Sequence, residues 1–82
     1  MAETITVTYF AALVDRAGCR TEEFEVAEPT VGALRAAVAG RHGARVAELA
    51  DHSSVLSGDR LLREDAEVIG AEVDLLPPFA GG

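Results

Sequence analysis

From Thr4 to Tyr9 apolar and polar residues alternate strictly (Thr4-Ile5-Thr6-Val7-Thr8-Tyr9), and all are β-branched or aromatic. This pattern predicts a half-buried strand with Ile5, Val7 and Tyr9 on one face. The apolar run Phe10-Ala11-Ala12-Leu13-Val14 extends it, and Ala17-Gly18 breaks it. A second alternation, Glu22-Glu23-Phe24-Glu25-Val26, turns Phe24 and Val26 inward and the acids to solvent. Two strands joined by a turn-like stretch make a hairpin.

The period then changes. Thr30 after Pro29 is placed to cap a helix, and Val31, Leu34, Ala37 and Val38 form one apolar stripe at spacings of three and four. Arg41 and His42 suit the negative end of the helix dipole, and Gly43 suits the position after the last turn. Residues 44–50 allow a short second helix. Ser53 to Leu56 and Arg60 to Leu62 flank a turn at Ser57-Gly58-Asp59. Val68-Ile69-Gly70 leads into Glu72-Val73-Asp74-Leu75-Leu76, which Pro77-Pro78 terminates because proline donates nothing to a ladder. The order predicts an α+β fold, one main helix laid across a mixed sheet.

Length and charge limit what such a domain does. A chain of 82 residues buries only about 60 to 65 % of the surface its unfolded form exposes, so a deep active site would consume much of the core. A carrier, adaptor or subunit without an independent active site is the better expectation. Seven basic residues against 14 acidic ones give −7, which disfavours nucleic acid as a partner. No apolar run is long enough to span a bilayer, and no signal-peptide pattern is visible at the start. With a single cysteine, Cys19, the chain forms no internal disulfide, which fits a cytoplasmic location. All seven basic residues are arginine, so the chain offers no ε-amine to an acyl donor.

The candidate chemistry lies at the end: Leu75-Leu76-Pro77-Pro78-Phe79-Ala80-Gly81-Gly82. Two residues without Cβ can thread a narrow tunnel in an extended shape and present the α-carboxylate to another protein's active site. The proline pair stiffens the exit. A carboxylate is a poor electrophile and needs activation, usually as a mixed anhydride with AMP. The chain has no Gly-rich phosphate loop, so a partner must bind the ATP.

Chain length, element order and this ending resemble the MoaD/ThiS family of ubiquitin-like sulfur carriers, in particular the small subunit of molybdopterin synthase. Further matches are Tyr9-Phe10-Ala11 after the first strand and Pro29-Thr30-Val31 with Leu34-Arg35 at the helix start. The resemblance implies a β-grasp domain over residues 1–76 and an extended, flexible Gly-Gly tail over 77–82. It implies that an adenylating enzyme of the ubiquitin-activating type converts Gly82 to an acyl-adenylate. A sulfur donor such as a rhodanese or a cysteine desulfurase then yields a C-terminal thiocarboxylate. In molybdopterin synthase the tail enters the large subunit, within a heterotetramer, and its sulfur passes to the cyclic pyranopterin precursor of the molybdenum cofactor. By this analogy Gly82 carries the sulfur, Phe79, Ala80 and Gly81 lie in the partner's tunnel, and Phe10, Leu76, Pro77 and Pro78 form the partner interface. No cofactor is bound beyond the covalent thiocarboxylate.

The chain also departs from the family. Where the family has a Gly-Asp turn before the last strand, this chain has Gly70-Ala71-Glu72-Val73 after an apolar Ile69. Near the patch the family places another apolar residue; Arg60 falls there, with Leu61 or Leu62 as substitutes. Cys19 reads as an incidental loop thiol with no base beside it. His42 and His52 are not accompanied by other ligands at metal-site spacing, so no metal is expected. Three classes of function follow: a sulfur carrier for molybdopterin or for another pathway (cysteine, thiamine or a secondary metabolite), a ubiquitin-like modifier joined to target lysines, and a binding module with an incidental tail.

Overall fold

A computed structural model describes residues 2–78. Along the chain run β1 (Glu3–Tyr9), α1 (Ala12–Ala17), β2 (Thr21–Val26), α2 (Val31–His42), α3 (Ala44–Asp51), β3 (Ser54–Ser57), β4 (Arg60–Leu62) and β5 (Glu72–Leu76). The strands form one mixed sheet in the order β2-β1-β5-β3-β4. β1 and β5 are parallel neighbours at its centre, with Val7 opposite Val73 and Tyr9 opposite Leu75; the other pairings are antiparallel.

Alternation sets which face is covered. Ile5, Val7, Tyr9, Phe24, Val26, Val55, Leu62, Val73 and Leu75 are all buried on the helix side. They pack with Leu13 of α1, Val31, Leu34 and Val38 of α2, and Val46 and Ala50 of α3. Ile69, the apolar residue that departs from the family pattern, is also buried in this core.

The start of α2 shows how the sequence fixes its place. A helix leaves its first backbone N–H groups without internal partners. Here the Val31 and Gly32 N–H groups donate to the carbonyls of Glu67 and Asp65, at 3.0 and 2.9 Å, and the Ala33 N–H donates to Thr30 Oγ1 at 3.2 Å. The 63–67 loop is therefore part of the cap, and Gly32 allows its approach: a Cβ there would lie 3.0 Å from Asp65 Cβ. The Glu67 carboxylate in turn accepts from the Arg63 and Glu64 N–H groups, which holds its pKa below the ordinary carboxylate value. One turn further on, the Arg35 guanidinium donates to the Ser53 and Arg63 carbonyls and to Asp65. Thr30→Ala removes the side-chain cap and is expected to cost about 1 kcal/mol, read as a lower urea midpoint at unchanged slope.

Two expectations are corrected. The run Phe10 to Val14 does not extend β1; Ala12–Ala17 is a helix ended by Gly18 in the left-handed conformation, whose N–H donates to the Val14 carbonyl. A short apolar run fits a strand or a buried helical turn equally well, and the glycine cap decides here. Glu22 does not lie on the solvated side of β2: it shares parity with Phe24 and Val26 and faces the helices. The second helix over 44–50 is present as α3, and the 58–59 turn joins β3 to β4.

Candidate functional site

The central strands deliver the residues that matter. β1 ends at Tyr9, and its next residue, Phe10, lies with Ala11, Leu76 and Pro77 around one apolar pocket. The parallel pairing of Tyr9 with Leu75 puts Phe10 beside Leu76. The side chain after each of these buried residues points to the other face of the sheet. Thus the sheet's geometry alone collects three of the four residues assigned to a partner interface by resemblance: Phe10, 40 % exposed, Leu76 and Pro77. Pro78 follows, exposed. Phe79, Ala80, Gly81 and Gly82 lie outside the described residues.

The same outer face carries more apolar surface. Leu56 on β3 pairs with Leu61 on β4, and Leu61 is 54 % exposed. Leu62 is buried, so of the two leucines considered near the Arg60 position Leu61 is the one available to a partner. Asp74 pairs with both Leu56 and Thr8, so one carboxylate stands beside these leucines in the row that crosses the sheet.

Ala11 gives this corner an unusual backbone. Its φ of 53° and ψ of −129° belong to a region that side chains avoid and glycine occupies readily. The conformation reverses the chain between Phe10 and α1, where the Leu13 and Val14 N–H groups donate to the Phe10 and Ala11 carbonyls. Ala11→Gly is expected to raise stability by about 1 kcal/mol, seen as a melting temperature higher by roughly 4–8 °C.

On the helix side of the same strand end lies a polar cluster. Tyr9 is buried, and its hydroxyl donates to the Glu22 carboxylate at 2.5 Å. His42 Nε2, from the last turn of α2, contacts the same carboxylate, and Arg41 reaches its other oxygen at 3.2 Å while lying over the Phe24 ring. Burial works against the Glu22 charge, yet the hydrogen bonds from Tyr9, His42 and Arg41 outweigh it and hold the pKa below the ordinary value. Burial, then the hydrogen bond to Glu22, pushes the Tyr9 phenol far up, so it remains a donor. Cys19 stands beside this cluster, and burial and the Glu22 charge push its thiol up. The expectation that no base lies near Cys19 is therefore corrected. The 22 residues between Cys19 and His42 hid the juxtaposition, although the inward parity of Glu22 was a readable signal.

Among the described residues no helix is long and apolar enough to cross a membrane. No protein-family profile and no curated protein sequence matches the chain. Solved structures do. A crystal structure of SAMP1 from Haloferax volcanii superposes with a TM-score of 0.77 at 30 % identity, covering 96 % of this chain and 99 % of that one. A second, of the H. volcanii small archaeal modifier protein 1, gives 0.69 at 31 %, covering 94 % and 99 %. The solution structure of the H. volcanii protein HVO 2177 shares the fold, with 0.72 at 19 % over 99 % of this chain and 88 % of the other. With its five-stranded mixed sheet, parallel central pair and near-complete coverage of the archaeal protein, the chain belongs to the ubiquitin-like β-grasp family of the MoaD/ThiS type, which includes small archaeal modifier protein 1.

Proposed function

We propose that this protein is a sulfur carrier that works through its C-terminal carboxylate. The observation that supports this reading is the setting of β5. The last strand runs through the middle of the sheet and leaves it at Leu76-Pro77, beside the exposed Phe10, and the sequence then ends in Gly81-Gly82. A partner docked on Phe10 and Leu76 receives the chain end in a fixed direction.

The chemistry begins with the Gly82 carboxylate attacking the α-phosphate of ATP in a partner adenylating enzyme, with release of pyrophosphate. A persulfide sulfur on the donor displaces AMP, and reduction by a thiol frees the thiocarboxylate. As the small subunit of molybdopterin synthase, the carrier then donates that sulfur to the cyclic pyranopterin precursor in the large subunit. The acidic surface, −7 in net charge, favours encounter with basic partners, so complex formation weakens as salt rises.

A second reading is favoured by the similar solved structures, described as a small archaeal modifier protein. There the same acyl-adenylate leads to an amide with a target lysine. Having no lysine, this chain cannot extend itself into polymers through ε-amines.

Intact-mass analysis of the protein from its own cells, with sequencing of the C-terminal peptide, tests both. One terminal oxygen replaced by sulfur supports the carrier. Gly82 found only as an amide with lysines of other proteins sinks it in favour of the modifier. At the docking surface, Phe10→Asp is expected to weaken binding to the adenylating enzyme about 30-fold or more, a loss of roughly 2 kcal/mol typical of a central aromatic contact. Calorimetric titration would show it, with circular dichroism unchanged.

A further inference from the structure

We propose that Cys19, Glu22 and His42 form a binding site for a thiophilic divalent cation of the zinc class. The three side chains come from separate elements: the segment after α1, the start of β2 and the last turn of α2. Their donor atoms (a thiol sulfur, a carboxylate oxygen and an imidazole nitrogen) all lie within 4.8 Å of one another. In a tetrahedral zinc site, bonds of about 2.0 to 2.3 Å place the donors roughly 3.5 Å apart. Small side-chain rotations therefore close the cluster around an ion without moving the backbone.

The donor set selects the kind of ion. A thiolate with an imidazole suits zinc and its neighbours, whereas magnesium and calcium prefer sites made of oxygen alone. The surroundings favour a well-defined site. Tyr9 donates to the Glu22 carboxylate from the core, and Arg41 holds its other oxygen, so the carboxylate is oriented before any ion arrives. The Arg41 charge opposes a cation, but the ionised Glu22, the thiolate formed on binding and the protein's net charge of −7 oppose Arg41 in turn. Three protein ligands leave a fourth position for water or a small anion.

Binding is a proton exchange. The Cys19 thiol loses its proton as the sulfur–metal bond forms. To ligate through Nε2, the His42 ring must offer that nitrogen's lone pair and carry its proton on Nδ1, and the protons displaced pass to solvent. No electron is transferred. The ion then ties the segment after α1 to the end of α2, directly behind the strand end that leads to Phe10.

The test uses the full chain in a reducing buffer, titrated with Zn2+ and separately with Co2+. The expected result is a one-to-one complex with a thiolate-to-cobalt charge-transfer band in the near ultraviolet. At Zn2+ about 100 times its Kd, the melting temperature should rise by roughly 10 °C or more. Cys19→Ser, at a half-buried loop position, should abolish the band and most of the thermal shift, and His42→Gln should weaken binding. The exposed-histidine control His52→Gln should change neither. Absence of the band with wild type, or an equal thermal shift in wild type and Cys19→Ser, would overturn the proposal. So would one ion per two chains, because it would place the ligands on two molecules.

Discussion

Adding a single alanine after Gly82 is expected to lower the rate of C-terminal adenylation about 100-fold or more while leaving the melting temperature unchanged. The added residue moves the carboxylate by up to about 3.5 Å along an extended chain, and misplacing a reacting group by even 1 Å costs on that order. The fold has no reason to respond. Among the described residues, the buried one closest to the C-terminus is Leu75, and the last described strand ends at Leu76. ATP–pyrophosphate exchange with the cognate activating enzyme reads the effect, and thermal melting checks the fold. Gly81→Val should act similarly by a different route, since its branched side chain must pass wherever two glycines pass. Full exchange activity in the extended protein would remove the basis for a role of the terminal carboxylate.

Glu22→Ala is expected to lower stability by about 3 kcal/mol. It leaves the buried Tyr9 hydroxyl without its acceptor and removes the partner of Arg41 and His42. A domain of this size has only about 4–12 kcal/mol in total, so the melting temperature should fall by roughly 12–24 °C. The effect depends on pH with a definite sign. Because the folded-state pKa of Glu22 lies below 4.5, the unfolded chain binds its proton more readily. The charged carboxylate's contribution is fully present above that unfolded value and disappears as pH falls through the folded one. The gap in melting temperature between wild type and Glu22→Gln, which keeps an acceptor for Tyr9, should therefore narrow between about pH 7 and pH 3. A gap independent of pH would show that the carboxylate's charge contributes nothing.

Most of the sheet was legible because its signals are local. Ile5, Val7 and Tyr9 alternate without interruption, and Thr30 with the Val31-Leu34-Val38 stripe specifies α2 from cap to core. Phe10 to Val14 was misread because an apolar run carries no period to separate strand from helix, and the deciding residue, Gly18, acts on the backbone. Glu22 was misread by chemical type: its parity with Phe24 pointed inward, but a carboxylate beside two other acids looks solvated. Phe10 and Leu76 were assigned through the resemblance, and only the parallel register of β1 and β5 brings them together. The Cys19–His42 proximity leaves only one trace in the sequence, the inward parity of Glu22, because it joins residues from separate elements.

The parallel pair at the sheet's centre has a mechanical side. Tension applied across the domain pulls the start of β1 at Glu3 one way and the end of β5 at Leu76 the other. The two strands are then forced to slide along each other, so their hydrogen bonds carry the load together rather than one after another. A domain tethered through its C-terminus in this way resists extraction by a pulling machine. The same machine gripping β4, at the sheet's edge, would meet a seam that opens bond by bond.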